Sequence, residues 1–217
     1  MRLVMLGAPG SGKGTQAVKI GEAYGIPAIS TGDILRAHME EGTELGERAK
    51  TYMETGDLVP DDLIIEIALE RISRKDCVKG FLLDGFPRTV EQAEALDCKL
   101  ARMDVRLDKA INIAVDSEAL VCRTTGRRVC RDCGASFHIK TMPPAVKGVC
   151  DECGGELFHR ADDYEETVRN RIEVYHGQTE LLIGHYKAEG LYASVDGMKT
   201  PDEVFEEIQG ILGPPGK

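Results

Sequence analysis

The sequence predicts an α/β fold in which a five-stranded parallel sheet is covered by helices on both faces and carries two inserts. Three observations lead there. Short apolar runs alternate with longer segments of helical periodicity, the order expected of parallel strands joined by crossover helices. A glycine-rich stretch, Gly7-Ala-Pro-Gly-Ser-Gly-Lys-Gly-Thr15, stands between the first run and the first helical segment. Two segments, at about 30–59 and 126–163, break the alternation. With 217 residues, 42% of them apolar, the chain can bury a core of its own.

The expected strands are Leu3 to Leu6, Pro27 to Ile29, Phe81 to Asp84, Ala110 to Val115 and Leu191 to Val195. A helix from Thr15 to Tyr24 follows the first strand, and residues from about Ser30 to Val59 read as short projecting helices. The next helix, Asp61 to Arg74, starts just after Pro60 and sets Leu63, Ile64, Ile67 and Leu69 largely along one face. Thr89 and Gln92 have capping-box spacing before a helix that runs to about Ala101, and Thr200, Pro201 and Glu203 repeat the start signal for the last helix. The Gly213 to Gly216 tail is expected to fray. The organisation is therefore core at 1–29, a helical insert at 30–59, core at 60–125, a cysteine-bearing insert at 126–163 and core at 164–217.

Lys+Arg 27 against Asp+Glu 37 gives a net charge of −10. That balance argues against nucleic-acid or anionic-membrane partners, which need a broad basic surface, and leaves room only for local anion sites. Met1 to Leu6 is too short for the apolar core of a signal peptide, and no stretch reaches the roughly 18 apolar residues of a membrane span. The expectation is a soluble, cytoplasmic protein.

The chain has seven cysteines, four of them in two C-x-x-C pairs: Cys130 with Cys133, and Cys150 with Cys153. Each pair bends two thiolates to one side, and four complete a tetrahedral shell with no open position, so the metal would be structural. Zinc is the expectation, iron is accepted by the same donors, and two disulfides are the alternative. A metal would stiffen an insert that has few apolar residues of its own. His138 and His159 read as ordinary surface or nucleotide-adjacent residues, and Cys77, Cys98 and Cys122 as partly buried small apolar groups.

Gly7 to Thr15 has the strand–loop–helix setting of a P-loop. Its glycines let successive backbone N–H groups converge on a phosphate, Lys13 adds charge, and the following helix points its positive end at the same place. The usual pattern puts Ser or Thr directly after the lysine; here Gly14 intervenes, so Thr15 is the candidate hydroxyl nearest Mg²⁺. Asp84 ends an apolar strand at the carboxyl edge of the sheet, where it could hold Mg²⁺ or simply make a turn bond. Arg36, Arg88, Arg123, Arg127, Arg160 and Arg171 lie near glycine turns, helix ends and carboxylates, more forks than one nucleotide requires. Arg128, Arg131 and Arg169 read as surface ion pairs.

Ser30-Thr-Gly-Asp-Ile-Leu-Arg36, Asp84-Gly-Phe-Pro-Arg-Thr-Val-Glu-Gln92, and Asp162-Asp163 with Glu165-Glu-Thr-Val-Arg-Asn-Arg171 follow the P-loop in that order. With these motifs the chain resembles the adenylate kinases over essentially its whole length, in the bacterial long-lid form with a cysteine-rich lid. The resemblance implies a P-loop NTPase-like core, a helical insert that binds nucleoside monophosphate, a zinc-stapled lid, a monomer, and phosphoryl transfer from MgATP to AMP giving two ADP. It places Gly10, Ser11, Gly12, Lys13, Gly14 and Thr15 on the ATP phosphates, joined by Arg123, Arg127 and the backbone of Ser136 and Phe137, with Lys199 near the donor adenine. AMP falls to Thr31, Arg36, Asp57, Leu58, Val59, Gly85, Phe86, Pro87, Arg88 and Gln92. Arg160 and Arg171 clamp the phosphates in transit, so the catalytic set is Lys13, Asp84, Arg88, Arg123, Arg160 and Arg171. Asp162 and Asp163 lie at the lid hinge. Phe137 stands where a tyrosine is common, and Met142 where asparagine often precedes the prolines.

Within the resemblance, Thr31 and Gln92 favour adenine, since a glutamine amide offers the Watson–Crick edge both a donor and an acceptor. The competing role for Gln92 is a capping bond to the backbone of Thr89. The alternatives are a UMP or CMP kinase, a kinase of a non-nucleotide metabolite, and an NTP-driven switch whose zinc-ribbon insert binds nucleic acid.

Overall fold

The computed structural model describes residues 1–215. Five parallel strands form the main sheet: β1 (Arg2–Leu6), β2 (Ala28–Ser30), β3 (Phe81–Asp84), β4 (Lys109–Ala114) and β8 (Tyr192–Asp196), in the order β2-β3-β1-β4-β8. Each expected strand is present, displaced by no more than a residue at either end. Gly216, in the tail expected to fray, lies outside the described residues.

Period-two alternation explains why the sheet has two cores. Along β1, Leu3 and Met5 face one side and Val4 and Leu6 the other, all essentially buried. The first side packs on α1 (Lys13–Tyr24) through Ala17 and Ile20 and on α9 (Pro201–Leu212) through Val204 and Ile208. The second side packs on α4 (Asp61–Ile72), α5 (Val90–Arg102) and α8 (Leu181–Ala188) through Ile64, Leu96 and Leu182. Buried on both faces, the strands read as continuous apolar runs, as Phe81-Leu-Leu does.

Caps account for the helix boundaries. Thr200 and Glu203 close the expected reciprocal capping box on α9, with Pro201 at its first position. Thr89 caps α5 by accepting from the Gln92 amide, but Gln92 does not return the bond to Thr89: its Oε1 accepts from the backbone of Arg88 at 2.7 Å. Helix α1 begins at Lys13, two residues before the expected Thr15, because Gly12 turns the chain at φ 100° and needs no side-chain cap.

Between β2 and α4 lie α2 (Thr31–Glu40) and α3 (Glu44–Thr55), the expected helical insert. They approach closely at Gly46, where a Cβ would sit 2.1 Å from the carbonyl oxygen of His38. Helix α6 (Ser117–Thr125) leads from β4 into the second insert, a three-stranded antiparallel sheet of β5 (Arg127–Cys130), β6 (Ser136–His138) and β7 (Leu157–Phe158), with β5 in the middle. Its buried apolar cluster consists of Cys130, Phe137, Cys150 and Leu157 alone. The chain returns through α7 (Glu165–Val174) and a π-helical turn, Tyr175–Thr179, into α8.

Candidate active site

The glycine-rich loop crosses the carboxyl end of β1, the central strand, where neighbours lie to both sides and α/β sheets open a crevice. Gly10 has φ +82°, and a Cβ there would lie 2.3 Å from Thr124 Oγ1 and 2.9 Å from the Leu120 carbonyl oxygen, so only glycine fits against α6. Lys13 folds back to donate to the carbonyls of Gly7 at 2.7 Å and Ala8 at 3.0 Å. Burial lowers its pKa to about 8, against the opposing pull of Asp84. Ser11 Oγ is buried without a partner, while Gly14 and Thr15 are exposed at the start of α1. The Asp84 carboxylate lies 3.6 Å from where a Cβ of Gly14 would be, and burial pushes its pKa up despite Lys13 and Arg88. Asp84 thus reaches the phosphate loop as a desolvated carboxyl group whose charged form a cation would favour.

Two clefts open here. The larger, about 510 Å³, is lined by Gly7, Pro9, Lys13, Gly85, Arg88 and Arg171 among others. The second, about 310 Å³, includes Thr31, Leu35, Val59, Ile64, Arg88 and Gln92 in its wall, with Asp57 and Leu58 at the α3–α4 connection. Gly85 and Arg88 line both, so the two clefts meet at Arg88. Thr31 Oγ1 and Arg88 Nε both donate to the Gly85 carbonyl, at 2.9 and 2.8 Å. Phe86 is fully buried beneath this turn.

Arg36, Arg127, Arg160 and Arg171 are held on aspartates. Asp163, fully buried, accepts from Arg127 Nε at 2.8 Å and Nη2 at 2.5 Å, with Arg171 3.8 Å away. Asp162 takes Arg171 at 2.8 Å and Arg36 at 3.5 Å. Asp33 takes Arg36 at 2.6 Å and Arg160 at 3.3 Å, tying the end of the second insert to the first. Burial alone would raise the pKa of Asp33 and Asp162, yet their arginines hold both below the usual carboxylate range. Burial brings Arg160 and Arg171 down to about 10, and Arg160 Nε is buried with no partner. For Arg127 burial is outweighed by the Asp163 bonds, which raise it. These guanidiniums are desolvated, close together and balanced by carboxylates, the setting from which a polyanion can draw them.

Other candidates lie at the rim. Arg123 donates to the Gly197 carbonyl at 2.8 Å, and nearby Lys199 pairs with Glu207. Phe137 is buried in the small core of the second insert, while Ser136 beside it on β6 is exposed. Arg131 and Arg169 make the expected exposed pairs, with Glu156 and Glu165, but Arg128 instead donates to the carbonyls of Thr125 and Arg127.

The four insert cysteines converge, with Cys130 and Cys153 sulfurs 3.4 Å apart, Cys133 and Cys150 3.6 Å apart, and all four within 4.8 Å of one another. All four are unbridged, and the cluster suits a tetrahedral tetrathiolate, whose edges are about 3.8 Å for zinc. The backbone N–H of Cys133 lowers the Cys130 thiol to about 7, while against the backbone N–H groups of Ala135 and Gly155 neighbouring sulfurs and burial raise the thiols of Cys133 and Cys153. His138 is not a surface residue: its Nδ1 accepts from the amides of Lys140 and Thr141, so its protonated Nε2 donates to the Cys122 carbonyl at 3.1 Å. It thereby joins the insert to the end of α6. Cys77 is buried as expected, whereas Cys98 and Cys122 are exposed.

Three residues without an assigned role in the sequence reading belong to the site: Asp33, Asp61 and Asn170. Asp33 lies inside the Ser30–Arg36 motif, and its signal was the arginine three residues on. Asn170 Nδ2 donates to Thr55 O at 2.8 Å and Asp57 Oδ1 at 3.1 Å, docking the first insert on α7.

A phosphate loop at the sheet crevice, joined through one arginine to a second pocket and ringed by paired arginines, defines a P-loop phosphotransferase with places for two phosphorylated ligands. A family model for adenylate kinase matches residues 5–191. The chain is 56% identical over 212 residues to an adenylate kinase of Carboxydothermus hydrogenoformans, covering 98% of this chain and 99% of that protein. It is 55% identical over 213 residues to one from a Geobacillus species and 54% over 213 to one from Clostridioides difficile, with the same coverage in both cases. The chain belongs to the adenylate kinase family.

Proposed function

We propose that the protein transfers the γ-phosphoryl group of MgATP directly to AMP, reversibly, yielding two ADP at the junction of the two clefts. The observation that carries this reading is the sharing of Gly85 and Arg88 by both clefts: a phosphoryl group between them never has to leave the arginine cluster.

ATP enters along the phosphate loop. The backbone from Gly10 to Thr15 cradles its phosphates, and Lys13 leaves the Gly7 and Ala8 carbonyls for them. Arg123 and Arg127 close from the donor side with the lid backbone at Ser136 and Phe137, and Lys199 stands at the adenine end. AMP lies in the smaller cleft, its base at Thr31 and Gln92 and its phosphate against Arg36 and Arg88. The AMP phosphate is already anionic near neutral pH, so no general base is required. Arg160 and Arg171 exchange aspartate for the phosphoryl in flight, leaving Asp33 and Asp162 to release them at entry and take them back at exit. Catalysis is in-line positioning plus neutralisation of charge. Water, the competing acceptor, is excluded when the helical insert at 30–59 and the cysteine-bearing lid at 126–163 close over the ligands.

Asp84 and Thr15 would face a Mg²⁺ that arrives with ATP, and that ion would supply neutralisation of phosphate charge. The four cysteines fit a structural zinc, with iron accepted by the same donors. The reading places the enzyme in a reducing cytoplasm, which keeps those thiols free for metal, and as a monomer with nucleotides as its only partners. No helix among the described residues is long and apolar enough to cross a membrane, and the net charge of −10 opposes nucleic acid.

Incubation with MgATP and, separately, AMP, CMP, UMP and GMP, with quantification of the diphosphates, tests this. ADP formed only with AMP is the expected result. Transfer to a pyrimidine acceptor overturns the reading of Thr31 and Gln92.

A further inference from the structure

We propose that Asp61 sets which purine the smaller cleft accepts, by locking the side-chain amide of Gln92 in one orientation. The proposal rests on the assignment of Gln92 to the acceptor base.

Asp61 is the first residue of α4, after Pro60, where the helix N-terminus favours a carboxylate. Its carboxylate does not cap the helix. Oδ1 accepts from Gln92 Nε2 at 2.6 Å, and Oδ2 accepts from Thr89 Oγ1 at 2.9 Å. Thr89 Oγ1 in turn accepts from the Gln92 backbone N–H at 3.2 Å, closing a ring of three residues. The other end of the Gln92 amide, Oε1, accepts from the Arg88 backbone N–H at 2.7 Å. Gln92 is 1% exposed. A carboxylate can only accept and a backbone N–H can only donate, so a flipped amide would face acceptor with acceptor and donor with donor. Such a flip in a buried site forfeits two hydrogen bonds and leaves their partners unsatisfied.

Each end of the locked amide keeps one function free for a ligand, a second hydrogen on Nε2 and a second lone pair on Oε1. Adenine offers an amino donor and an unprotonated ring acceptor. A 6-oxopurine offers a carbonyl acceptor and a ring N–H donor, the same edge reversed, and would pair only with the flipped amide. Gln92 lines the cleft and Asp61 does not. Asp61 is therefore a positioning residue, acting on the base through Gln92.

The test is Asp61→Asn, assayed with AMP and IMP as acceptors at saturating MgATP. Asparagine keeps the volume but can accept from Nε2 or donate to Oε1, which erases the preference at this end. The ratio of kcat/KM for AMP to that for IMP falls about tenfold, the scale of one hydrogen bond to a charged group, chiefly through the KM for AMP. The KM for MgATP stays unchanged. In wild type the Gln92 side-chain NH₂ signals show slowed exchange with solvent, and the slowing is lost in the variant. Asp61→Ala, which removes the acceptor altogether, shifts the ratio in the same direction. A wild type that uses AMP, with an AMP-to-IMP ratio unmoved within about twofold in a folded D61N, overturns the role of Asp61 alone. A wild type that does not use AMP removes the proposal together with the acceptor assignment.

Discussion

Asp163→Asn probes the arrangement that holds the arginines ready. Asp163 is fully buried and bonds Arg127 through two parallel N–H···O contacts, at 2.8 and 2.5 Å. Asparagine keeps the shape but turns an NH₂ group toward one guanidinium N–H, so one bond is lost and the other becomes neutral. Breaking a buried pair while leaving one charge behind costs about 3 to 5 kcal/mol. The Arg127 side chain is 24% exposed, which places the expected loss at the lower end, about 3 kcal/mol. For a chain of this size that is a fall of about 6 to 12 °C in melting temperature, read by calorimetry without nucleotide. Saturating MgATP narrows the gap, because the phosphates supply the charge that Asp163 supplied. A loss below about 1 kcal/mol, or a gap that nucleotide leaves unchanged, refutes the reasoning.

Removal of metal by a chelator lowers the melting temperature and raises backbone exchange throughout β5–β7, while leaving the rate at low temperature nearly intact; unchanged melting refutes a structural metal. Burial brings Lys13 down to about 8, so between pH 8 and its ordinary 10.5 the free enzyme loses the charge that meets ATP. The kcat/KM for MgATP therefore falls with an apparent pKa of about 8, while kcat holds to higher pH because bound phosphate retains the proton; a kcat/KM flat to about pH 9.5 contradicts this. In stability the sign is opposite: the cost of burying the ammonium is present below pH 8 and is relieved as pH rises through that window. Gly10→Ala strains a residue at φ +82° against Thr124 and costs about 2 kcal/mol or more in urea unfolding, whereas Gly210→Ala, in open space on α9, adds about 1 kcal/mol.

What could be read from the sequence was what chain neighbours determine. Phe81-Leu-Leu-Asp84 shows both that a strand is buried on two faces and that its last residue emerges at the sheet's carboxyl edge. Gly7 to Thr15 carries its loop, lysine and helix in one stretch, and the paired cysteines carry half a tetrahedron each. The insert's strands could not be read, because two to four residues are too few for a period and are held by the thiol cluster and their ladder. The counter-charges were hidden for another reason. Asp33 meets Arg160 across 127 positions of chain and Asp61 meets Gln92 across 31, so neither pairing leaves a local pattern. His138 read as a surface or nucleotide-adjacent residue because a lone histidine between Phe137 and Ile139 gives no sign that both ring nitrogens bond backbone.

The central claim is that the phosphoryl group passes from one nucleotide to the other in a single displacement at Arg88. ATP carrying a chiral, isotopically labelled thiophosphoryl group at the γ position, turned over with AMP, tests it. The account predicts that the label appears on the diphosphate made from AMP with inverted configuration at phosphorus. Retention of configuration, or label recovered on the protein, would contradict direct transfer.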